Sequence, residues 1–362
     1  MKIRLQSSWE IKQSDGVIEL FSGTKRKKYG IKSKHPALIS FLDALKKGIE
    51  YPDNILFEAE RSGLKEETAH SLIKNLKENG ILFEDSHDPS SLLPQETSYD
   101  RQIRFFRSFE RDSLSGEMFN ENLQSSTVLI AGLGGYGSWI ALLCARMGIR
   151  TIIGVDFDRV DQTNLHRQVI YDRHDIGSLK VKACEKKLKE ADSTINFIGQ
   201  NLKIESTEDL IDLLDGVDLV INPFSYVPSH KILKHPAGIV AQAALLSGNP
   251  CLTFGGSWIG PLTIPSKTPC YLCTIRMLEA DTDLDPDHRN PNIQKRAFSP
   301  PIATCCSMAA FEAARFLSKC DTPQILHGLI QLDFFNFSNS KFLKIKSHSD
   351  CSHCDSIFEG AI

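Results

Sequence analysis

Long apolar runs, an excess of charge of one sign and an apolar N-terminal core are all missing from this sequence. No apolar run approaches the roughly twenty residues that a membrane span requires. The net charge is only -3, and there is no basic stripe or nucleic-acid motif. These absences predict a protein that acts neither in a membrane nor on nucleic acid. Residues 1–6 lack the apolar core of a secretory signal, so we expect a cytoplasmic protein.

The chain does contain ten cysteines, which in a cytoplasmic protein are more often metal ligands or core residues than disulfides. Two Cys-x-x-Cys pairs stand far apart, Cys270 with Cys273 and Cys351 with Cys354. One such pair alone could be a redox dithiol. Four thiolates complete a tetrahedral zinc site with no open position, so the two pairs together predict a structural Zn²⁺. The other six are predicted to be core residues: Cys144, Cys184, Cys251, Cys305, Cys306 and Cys320.

Residues 1–85 have the pattern of a small separate domain. Its predicted elements, in order, are a strand at Arg4–Ile11, a turn at Asp15-Gly16, a strand at Val17–Phe21, a basic loop at 25–28, helices at Pro36–Lys47, Ile55–Ser62 and Lys65–Asn79, and a last strand at Ile81–Phe83. This order indicates a winged-helix-like α+β fold. Such a domain either packs and dimerises, or binds an extended peptide along an exposed strand edge. A polar linker is expected at 86–98.

Strands and helices alternate in residues 99–362, which predicts an α/β domain with a Rossmann-like, mostly parallel sheet and helices on both faces. The predicted strands are Thr127–Ala131, Thr151–Val155, Asp218–Asn222, Cys251–Phe254 and Leu329–Phe335. The predicted helices are Ser138–Met147, Leu202–Leu214, Ile239–Leu246 and Ile302–Lys319. An irregular crossover is expected at about 278–300.

A glycine loop, Gly132-Leu133-Gly134-Gly135-Tyr136-Gly137, separates the first of these strands from its helix. Glycines allow a tight turn and a close approach to phosphate, and the helix N-terminus offers unpaired N–H groups. Asp156 ends the next strand, where a carboxylate can bind ribose hydroxyls. The loop by itself fits a dinucleotide oxidoreductase as well as an ATP-using enzyme.

The residues after Asp156 favour ATP. A polar run contains Asn164-x-x-Arg167-Gln168, and Lys180 follows. Hydride transfer does not require an arginine and a lysine beside the phosphates. Both cations are useful when charge builds up on departing pyrophosphate, arginine as a planar fork and lysine as a point charge. Arg167 and Lys180 are therefore the predicted catalytic residues.

With these motifs the sequence resembles the ThiF/MoeB family of adenylating enzymes, relatives of the ubiquitin-activating enzymes, from about Tyr99 to the C-terminus. The resemblance implies ATP as substrate, with Asp156 on the ribose. The other residues that it implies around ATP are Gly132, Gly134, Gly135, Gly137, Asn164, Arg167, Gln168 and Lys180. Arg101, in the motif Tyr99-x-Arg101-Gln102, matches a family arginine that reaches into the partner protomer's ATP site, which implies a homodimer.

One position departs from the family pattern. Family members usually place an aspartate that helps to hold Mg²⁺ after the strand at 218–222, whereas this chain has Ser225. Serine is neutral and a poor magnesium ligand. Asp158 or another acid then supplies the charge, or ATP binds with altered metal dependence, or activity is lost. The intact Arg167 and Lys180 favour retained activity.

The N-terminal domain is similar to the leader-peptide recognition domains of enzymes that modify ribosomally made peptides. The combination resembles family members that act in microcin C and pantocin A synthesis. It implies ATP-dependent adenylation of a carboxylate or amide in a precursor peptide that this domain holds. Two alternatives stay open, activation of a ubiquitin-like sulfur carrier and a non-catalytic leader-binding scaffold. No cysteine lies in the crossover, so an acyl group carried as a thioester is not expected.

Overall fold

A computed structural model describes residues 2–14, 17–23, 26–33, 36–85, 98–111, 114–224, 226–280, 297–346 and 351. The chain divides into two compact units, Met1–Glu121 and Asn122–Ile362. Apart from Ser98, the predicted linker lies outside the described residues, and so do the Asp15-Gly16 turn and most of the predicted crossover. No helix in the described ranges is both long and apolar enough to cross a membrane.

The first unit is built from short strands and helices. Its strands are β1 (Lys2–Leu5), β2 (Glu10–Ser14), β3 (Val17–Ser22), β4 (Lys27–Ile31), β5 (Ile49–Glu50) and β6 (Leu82–Asp85), and its helices are α1 (Pro36–Lys47), α2 (Ile55–Ser62), α3 (Glu66–Glu78) and α4 (Asp100–Phe106), with α5 (Gly116–Ser125) beginning here. Two antiparallel sheets form, β2-β3-β4 and β5-β1-β6. The apolar face of α1, with Phe41 and Leu45, is fully buried in their core. The winged-helix-like α+β fold and its three helices are confirmed.

Two details of this unit differ from the prediction. The single strand at Arg4–Ile11 is wrong, because the chain turns after Leu5, where Trp9 N donates to Gln6 O at 3.0 Å. Gln6 N in turn donates to Ile81 O at 2.9 Å, so a distant residue fixes this turn. The predicted basic loop is also wrong in part, since Lys27 and Lys28 belong to strand β4, which pairs with β3.

The second unit contains one large sheet. Its strands are β7 (Thr127–Ala131), β8 (Thr151–Val155), β9 (Asn196–Gln200), β10 (Leu219–Asn222), β11 (Cys251–Gly255), β12 (Trp258–Thr263), β13 (Gly328–Gln331) and β14 (Lys341–Lys344). Its helices are α6 (Gly135–Arg146), α7 (Lys180–Ala191), α8 (Glu208–Ile211), α9 (Pro236–Leu246), α10 (Tyr271–Ala280) and α11 (Ser299–Ser318).

The strand order is β14-β13-β12-β11-β10-β7-β8-β9. Strands β11, β10, β7, β8 and β9 are parallel, whereas β12, β13 and β14 add an antiparallel edge. The predicted mostly parallel Rossmann-like sheet is thus confirmed. Chain order reverses between β7 and β10, which creates the crevice where open α/β sheets bind ligands.

Two predicted elements of this unit are shorter than expected. The helix predicted at Leu202–Leu214 is reduced to α8, because the Asp209 carboxylate accepts the backbone N–H groups of Glu205 and Ser206 and starts the helix late. The strand predicted at Leu329–Phe335 ends at Gln331, since the Asp333 carboxylate accepts the N–H groups of Phe335 and Asn336 and turns the chain.

Candidate active site

A cavity of about 470 Å³ lies at the carboxyl ends of β7 and β10, where the strand order reverses. The glycine loop forms one wall, and Arg167, Phe224 and His235 contribute to the others. Five residues of the predicted site line this cavity: Gly132, Gly134, Gly135, Gly137 and Arg167. The described wall does not include Asp156, Asp158, Asn164, Gln168 or Lys180.

The glycine loop has a geometry that only glycine permits at two positions. Gly132 has a φ of +91° and donates its N–H to Val155 O at 2.7 Å. A Cβ on Gly137 would lie 1.8 Å from Gly132 O, so α6 can pack against the loop only without a side chain there. Helix α6 begins at Gly135, with its positive dipole end beside the cavity. The loop is therefore shaped for an anionic ligand.

Asp156 holds the glycine loop through both of its carboxylate oxygens. Oδ2 accepts the N–H of Leu133 at 2.7 Å, and Oδ1 accepts the N–H of Asp158 at 2.8 Å. The residue is only 8% exposed. On the other side of the loop the hydroxyl of Tyr171 donates to Leu133 O at 2.9 Å, and burial raises the pKa of Tyr171 far above its ordinary value. Asp156 thus has a structural role in addition to the ribose contact that the sequence predicts.

Lys180 is the first residue of α7 and is 5% exposed. Its Nζ lies 2.8 Å from Oδ2 of Asp158 and 3.9 Å from Oδ2 of Asp156. The Asp158 side chain is half-exposed. The lysine therefore neutralises the two acids that follow β8, and Asp158 is the more accessible of the pair.

Arg167 follows a short 3-10 helix, Gln162–Asn164, and reaches the cavity wall. Its guanidinium donates to Thr163 O at 2.7 Å, and its own carbonyl accepts the indole N–H of Trp139 at 3.0 Å. Trp139 belongs to α6, so the helix after the glycine loop also holds the backbone of this arginine.

Asn164 and Gln168, the other two residues of the motif, are not part of the described cavity wall. The Oδ1 of Asn164 accepts Asp161 N at 3.2 Å and completes the capping of the 3-10 helix. Gln168 is buried, and its Oε1 has no hydrogen-bond partner among the described residues. Its Nε2 lies 3.9 Å from the point where a Cβ of Gly134 would be. The glutamine therefore offers an unsatisfied polar atom close to the glycine loop.

The opposite wall carries residues that the sequence motifs did not reveal. The Phe224 ring lies over the loop, since a Cβ on Gly132 would be 3.1 Å from its Cζ. Tyr226 donates its hydroxyl to Gly260 O and stacks on Tyr271 at a centroid distance of 5.3 Å, and burial raises its pKa well above the ordinary value. His235 precedes Pro236, the first residue of α9. The His-Pro pair was an available signal for a helix start.

The magnesium prediction receives no support from the described residues. Ser225 lies outside them. No carboxylate is part of the described cavity wall, and the cysteine cluster is the one group of three or more potential metal ligands found among the described residues. Magnesium is usually held by one or two carboxylates together with phosphate oxygens and waters, so a cluster of three protein ligands is not required for it. That Asp158 or another acid supplies the negative charge for this ion stays a prediction.

Arg101 lies in the first unit, in the first turn of α4, and is exposed. Its neighbour Gln102 donates from Nε2 to Oδ1 of Asn120 at 2.8 Å, which anchors α4 to α5. Exposure is compatible with a contact to another protomer, and the predicted role of Arg101 in a partner's site stays a prediction.

Three of the four predicted zinc ligands meet in the second unit. The Sγ atoms of Cys270, Cys273 and Cys351 all lie within 4.8 Å of one another, and all three residues are buried. Sγ of Cys270 is 3.8 Å from that of Cys273 and 3.6 Å from that of Cys351. Sulfurs bound at about 2.3 Å to a tetrahedral zinc are about 3.8 Å apart, so the spacing fits zinc. Cys354 lies outside the described residues.

The other six cysteines are buried core residues, as predicted. Burial raises the pKa of Cys144, Cys251 and Cys305 to about 12 and raises that of Cys184 and Cys306 as well. Such thiols are poor nucleophiles at neutral pH.

The parallel sheet, the glycine loop and the cavity at the point of strand reversal are those of the nucleotide-binding α/β class. The sequence profile of the ThiF family matches residues 99–353 of this chain. The chain therefore belongs to the ThiF family. Relatives in this family are ATP-dependent adenylating enzymes.

Two relatives illustrate how similar in sequence this chain is to known adenylyltransferases. The sulfur carrier protein ThiS adenylyltransferase of Escherichia coli is 27% identical over 237 residues, which are 65% of this chain and 88% of that protein. The adenylyltransferase and sulfurtransferase MOCS3 of Caenorhabditis briggsae is 25% identical over 205 residues, 56% of this chain and 48% of that protein. The chain thus spans about half the length of the second relative.

Solved structures match nearly the whole chain. The crystal structure of E. coli MccB with ATP has a TM-score of 0.76 at 20% identity and covers 98% of this chain and 100% of that one. Another MccB structure, described as a microcin C7 biosynthetic enzyme, contains N-formylated MccA. PaaA has a TM-score of 0.68 at 21% identity and covers 94% of this chain and 99% of that one. These similarities confirm the fold.

Proposed function

We propose that this chain is an ATP-dependent adenylyltransferase that activates a carboxylate, or an amide, of a ribosomally made precursor peptide in the maturation of a peptide antibiotic. The observation that carries this proposal is the joint presence of the glycine-loop cavity with Arg167 on its wall and a separate peptide-sized groove in the N-terminal unit. The first binds and activates the nucleotide, and the second selects the peptide.

The proposed chemistry takes place in the glycine-loop cavity. ATP lies with its phosphates on the glycine loop, where the N-terminus of α6 and Arg167 supply positive potential. A carboxylate oxygen of the peptide attacks the α-phosphorus. The bond from that phosphorus to the bridging oxygen breaks, and pyrophosphate leaves with the electron pair, so an acyl-adenylate remains. An amine, amide or carbon nucleophile of the peptide then captures the acyl group and releases AMP.

Lys180 and Arg101 complete the proposed machinery. Lys180 exchanges its contact with Asp158 for one with the phosphates when the nucleotide is present. Arg101 reaches the ATP of the second protomer in a homodimer, as the exposed position on α4 allows. Zinc, held by Cys270, Cys273, Cys351 and Cys354, supplies structural support and takes no part in the reaction.

The groove of the N-terminal unit supports a peptide as substrate. Its volume is about 800 Å³, and it runs between the edge strand β4 and helix α3. Tyr29 and Ile31 come from the strand side, and Ser71 and Leu72 from the helix side. In the described sheet β4 pairs with β3 alone, so its outer edge can accept an extended segment by strand addition. MccB, whose fold extends over the same two domains, is known with N-formylated MccA.

Activation of a sulfur-carrier protein is the second candidate. The curated relatives favour it, because the E. coli ThiS adenylyltransferase matches 65% of this chain. The N-terminal groove argues for the peptide instead, since a protein with a folded body does not need a groove that accepts an extended strand. A scaffold that binds a leader peptide without using ATP is the third possibility.

ATP–pyrophosphate exchange by the purified full-length chain separates these functions. The assay compares short candidate precursor peptides with a sulfur-carrier protein that ends in Gly-Gly. Exchange that depends on a short peptide supports the proposal, whereas exchange only with the Gly-Gly protein supports the second candidate. If calorimetry detects binding of the peptide but no binding of ATP, the chain is a leader-binding scaffold without catalytic activity.

A further inference from the structure

The segment between β13 and β14 presents aromatic side chains to solvent, and we call residues 332–340 the aromatic loop. It contains three phenylalanines, Phe334, Phe335 and Phe337. The Phe335 side chain is fully exposed, and Phe337 is 67% exposed. A group of apolar side chains that stays at the surface commonly marks a binding site.

Hydrogen bonds within the aromatic loop hold it in one shape. The Asp333 carboxylate accepts the N–H of Asn336 at 3.0 Å and that of Phe335 at 2.8 Å, and these bonds lower the pKa of Asp333. The N–H of Asp333 donates to Oγ of Ser340 at 3.1 Å and closes the base of the loop. The rings are thus presented by a fixed backbone, which reduces the entropy lost when they bind a ligand.

A cavity of about 450 Å³ lies beside the aromatic loop. Phe334 and Phe335 line it from the loop, and Gln331 and Lys341 line it from paired positions of β13 and β14. Strand β13 runs in the same direction as β11, because each is antiparallel to β12. The aromatic loop therefore lies at the edge of the sheet where β7 and β10 also end, which is the edge of the nucleotide cavity.

Only a short turn after β11 separates the two cavities. Tyr136 lines the nucleotide cavity, and its hydroxyl donates to Gly256 O at 3.1 Å. The next residue, Ser257, lines the cavity beside the aromatic loop, and its carbonyl accepts the N–H of Leu332 at 2.8 Å. An extended peptide advances about 3.3 Å per residue. A few residues of a peptide are therefore enough to reach from one cavity into the other.

Lys341 provides the unpaired charge of this cavity wall. It forms no ion pair with any residue that the structure describes. The carboxylate of Asp333, the other charged residue of the wall, already accepts two backbone N–H groups and the Nδ2 of Asn339 at 3.2 Å. The wall therefore favours a ligand that combines an apolar side chain with an acidic one.

We propose that the cavity beside the aromatic loop binds the part of the precursor peptide next to the activated group, with an apolar side chain against Phe335 and a carboxylate at Lys341. This inference rests on the proposed adenylation and names the class of peptide that the site accepts. The Gly-Gly tail of a sulfur carrier has no side chains next to its carboxylate, so it would leave the rings and the lysine without contacts. The cavity thus suits a peptide better than such a tail.

Pyrophosphate exchange with synthetic peptides tests this preference. The probes are octapeptides with a free carboxyl terminus, in which the two residues before the last are Phe-Glu, Ala-Glu, Phe-Lys or Gly-Gly. We expect the full-length chain to prefer Phe-Glu. Phe335→Ala should raise the KM for this probe roughly 10-fold and leave kcat unchanged, because the ring binds substrate and transition state alike. Lys341→Glu should make Phe-Lys a better substrate than Phe-Glu.

Phe337→Ala is the matched control. It removes the same exposed ring from the same loop, but Phe337 is not part of the described cavity wall. The KM for every probe should stay at the wild-type value in this variant. If Phe335→Ala and Lys341→Glu both keep the wild-type order of the probes, the proposal is overturned.

A binding measurement distinguishes failure of this inference from failure of the proposed function. In protein labelled with fluorophenylalanine, the spectrum of Phe335→Ala identifies the Phe335 fluorine signal among those of the twenty phenylalanines. With ATP present, the Phe-Glu probe should shift this signal more than the Phe-Lys probe does. A shift without any exchange means that the cavity binds the peptide but that peptide adenylation fails. If neither probe shifts the signal, or if only a sulfur-carrier protein ending in Gly-Gly does so, the inference is refuted.

Discussion

The amide N–H of Leu133 donates to Oδ2 of Asp156 at 2.7 Å, so the acid that follows β8 holds the glycine loop that follows β7. The other carboxylate oxygen accepts the N–H of Asp158. A residue expected from the sequence to bind ribose is therefore already part of the loop's internal structure.

Asp156→Asn should lower the free energy of unfolding by about 1–3 kcal/mol. Asparagine has one carboxamide oxygen, so one of the two backbone N–H groups would face an NH₂ group and stay unsatisfied in a buried place. Urea denaturation measures the loss. Asp158→Asn is the comparison, since that side chain is half-exposed and should cost about 1 kcal/mol or less. Equal stability of D156N and the wild type would contradict the structural role.

Arg167→Ala and Lys180→Ala should have different consequences. Both should abolish peptide-dependent pyrophosphate exchange. Only Lys180→Ala should also destabilise the fold, by about 2 kcal/mol, because it removes a buried cation from between two acids. Arg167 lies on the cavity wall, so its removal should leave the urea midpoint almost unchanged. Full exchange by either variant would disprove its catalytic role.

The cysteine cluster should hold one zinc ion per chain, measured by mass spectrometry of the metal. Cys270→Ser and Cys354→Ser should each lower the zinc content and the unfolding temperature. Cobalt substitution should give the visible spectrum of a tetrahedral tetrathiolate site. Cys320→Ala is the control, because it removes a buried thiol outside the cluster. A full zinc content in Cys354→Ser would exclude that residue as the fourth ligand.

Peptide binding to the N-terminal unit should be sensitive to the groove between β4 and α3. Ser71 is exposed and lines this groove, so Ser71→Trp should fill it and weaken peptide binding at least about 10-fold, because an occupied groove cannot accept the strand. Lys74→Trp places the same ring on α3 outside the groove wall and serves as the control. Fluorescence anisotropy of a labelled peptide measures both. Equal weakening by the two variants would place the peptide elsewhere.

The buried thiols should be almost inert at pH 8. Burial raises the pKa of Cys144 and Cys251 from 9.0 to about 12, so the folded protein disfavours both thiolates. The stability that this provides is fully present below pH 9 and is lost as the pH rises toward 12. Iodoacetamide should modify these residues at least roughly 100-fold more slowly in the folded than in the urea-unfolded protein. Rapid labelling of either in the folded state would contradict their burial.

Features that depend on short stretches of sequence could be predicted. The glycine loop and the helix after it follow from local requirements, such as the absence of a side chain at Gly137. Features that depend on distant contacts could not. The break between β1 and β2 depends on the backbone hydrogen bond from Gln6 N to Ile81 O. No pattern within residues 4–11 indicates this break.

The walls of the cavity also include residues that could not be predicted from local sequence. Arg167 belongs to a motif, from which we predict that it lies near the phosphates of ATP. Phe224 and His235 lie near the glycine loop only because β10 pairs with β7. This pairing depends on the order of strands in the sheet, which the local sequence does not indicate. The long α11 approaches the same cavity through Ile302, although the predicted helix gave no reason to expect it there.

The stacking of Tyr226 on Tyr271 has a consequence for the supply of active protein. Tyr271 directly follows Cys270, and its hydroxyl accepts the N–H of Val227 at 3.3 Å. Tyr226 and Val227 are both part of the nucleotide cavity wall. Loss of the predicted zinc should therefore disturb this wall of the cavity, so the fraction of chains able to bind ATP should fall with the zinc content of the protein.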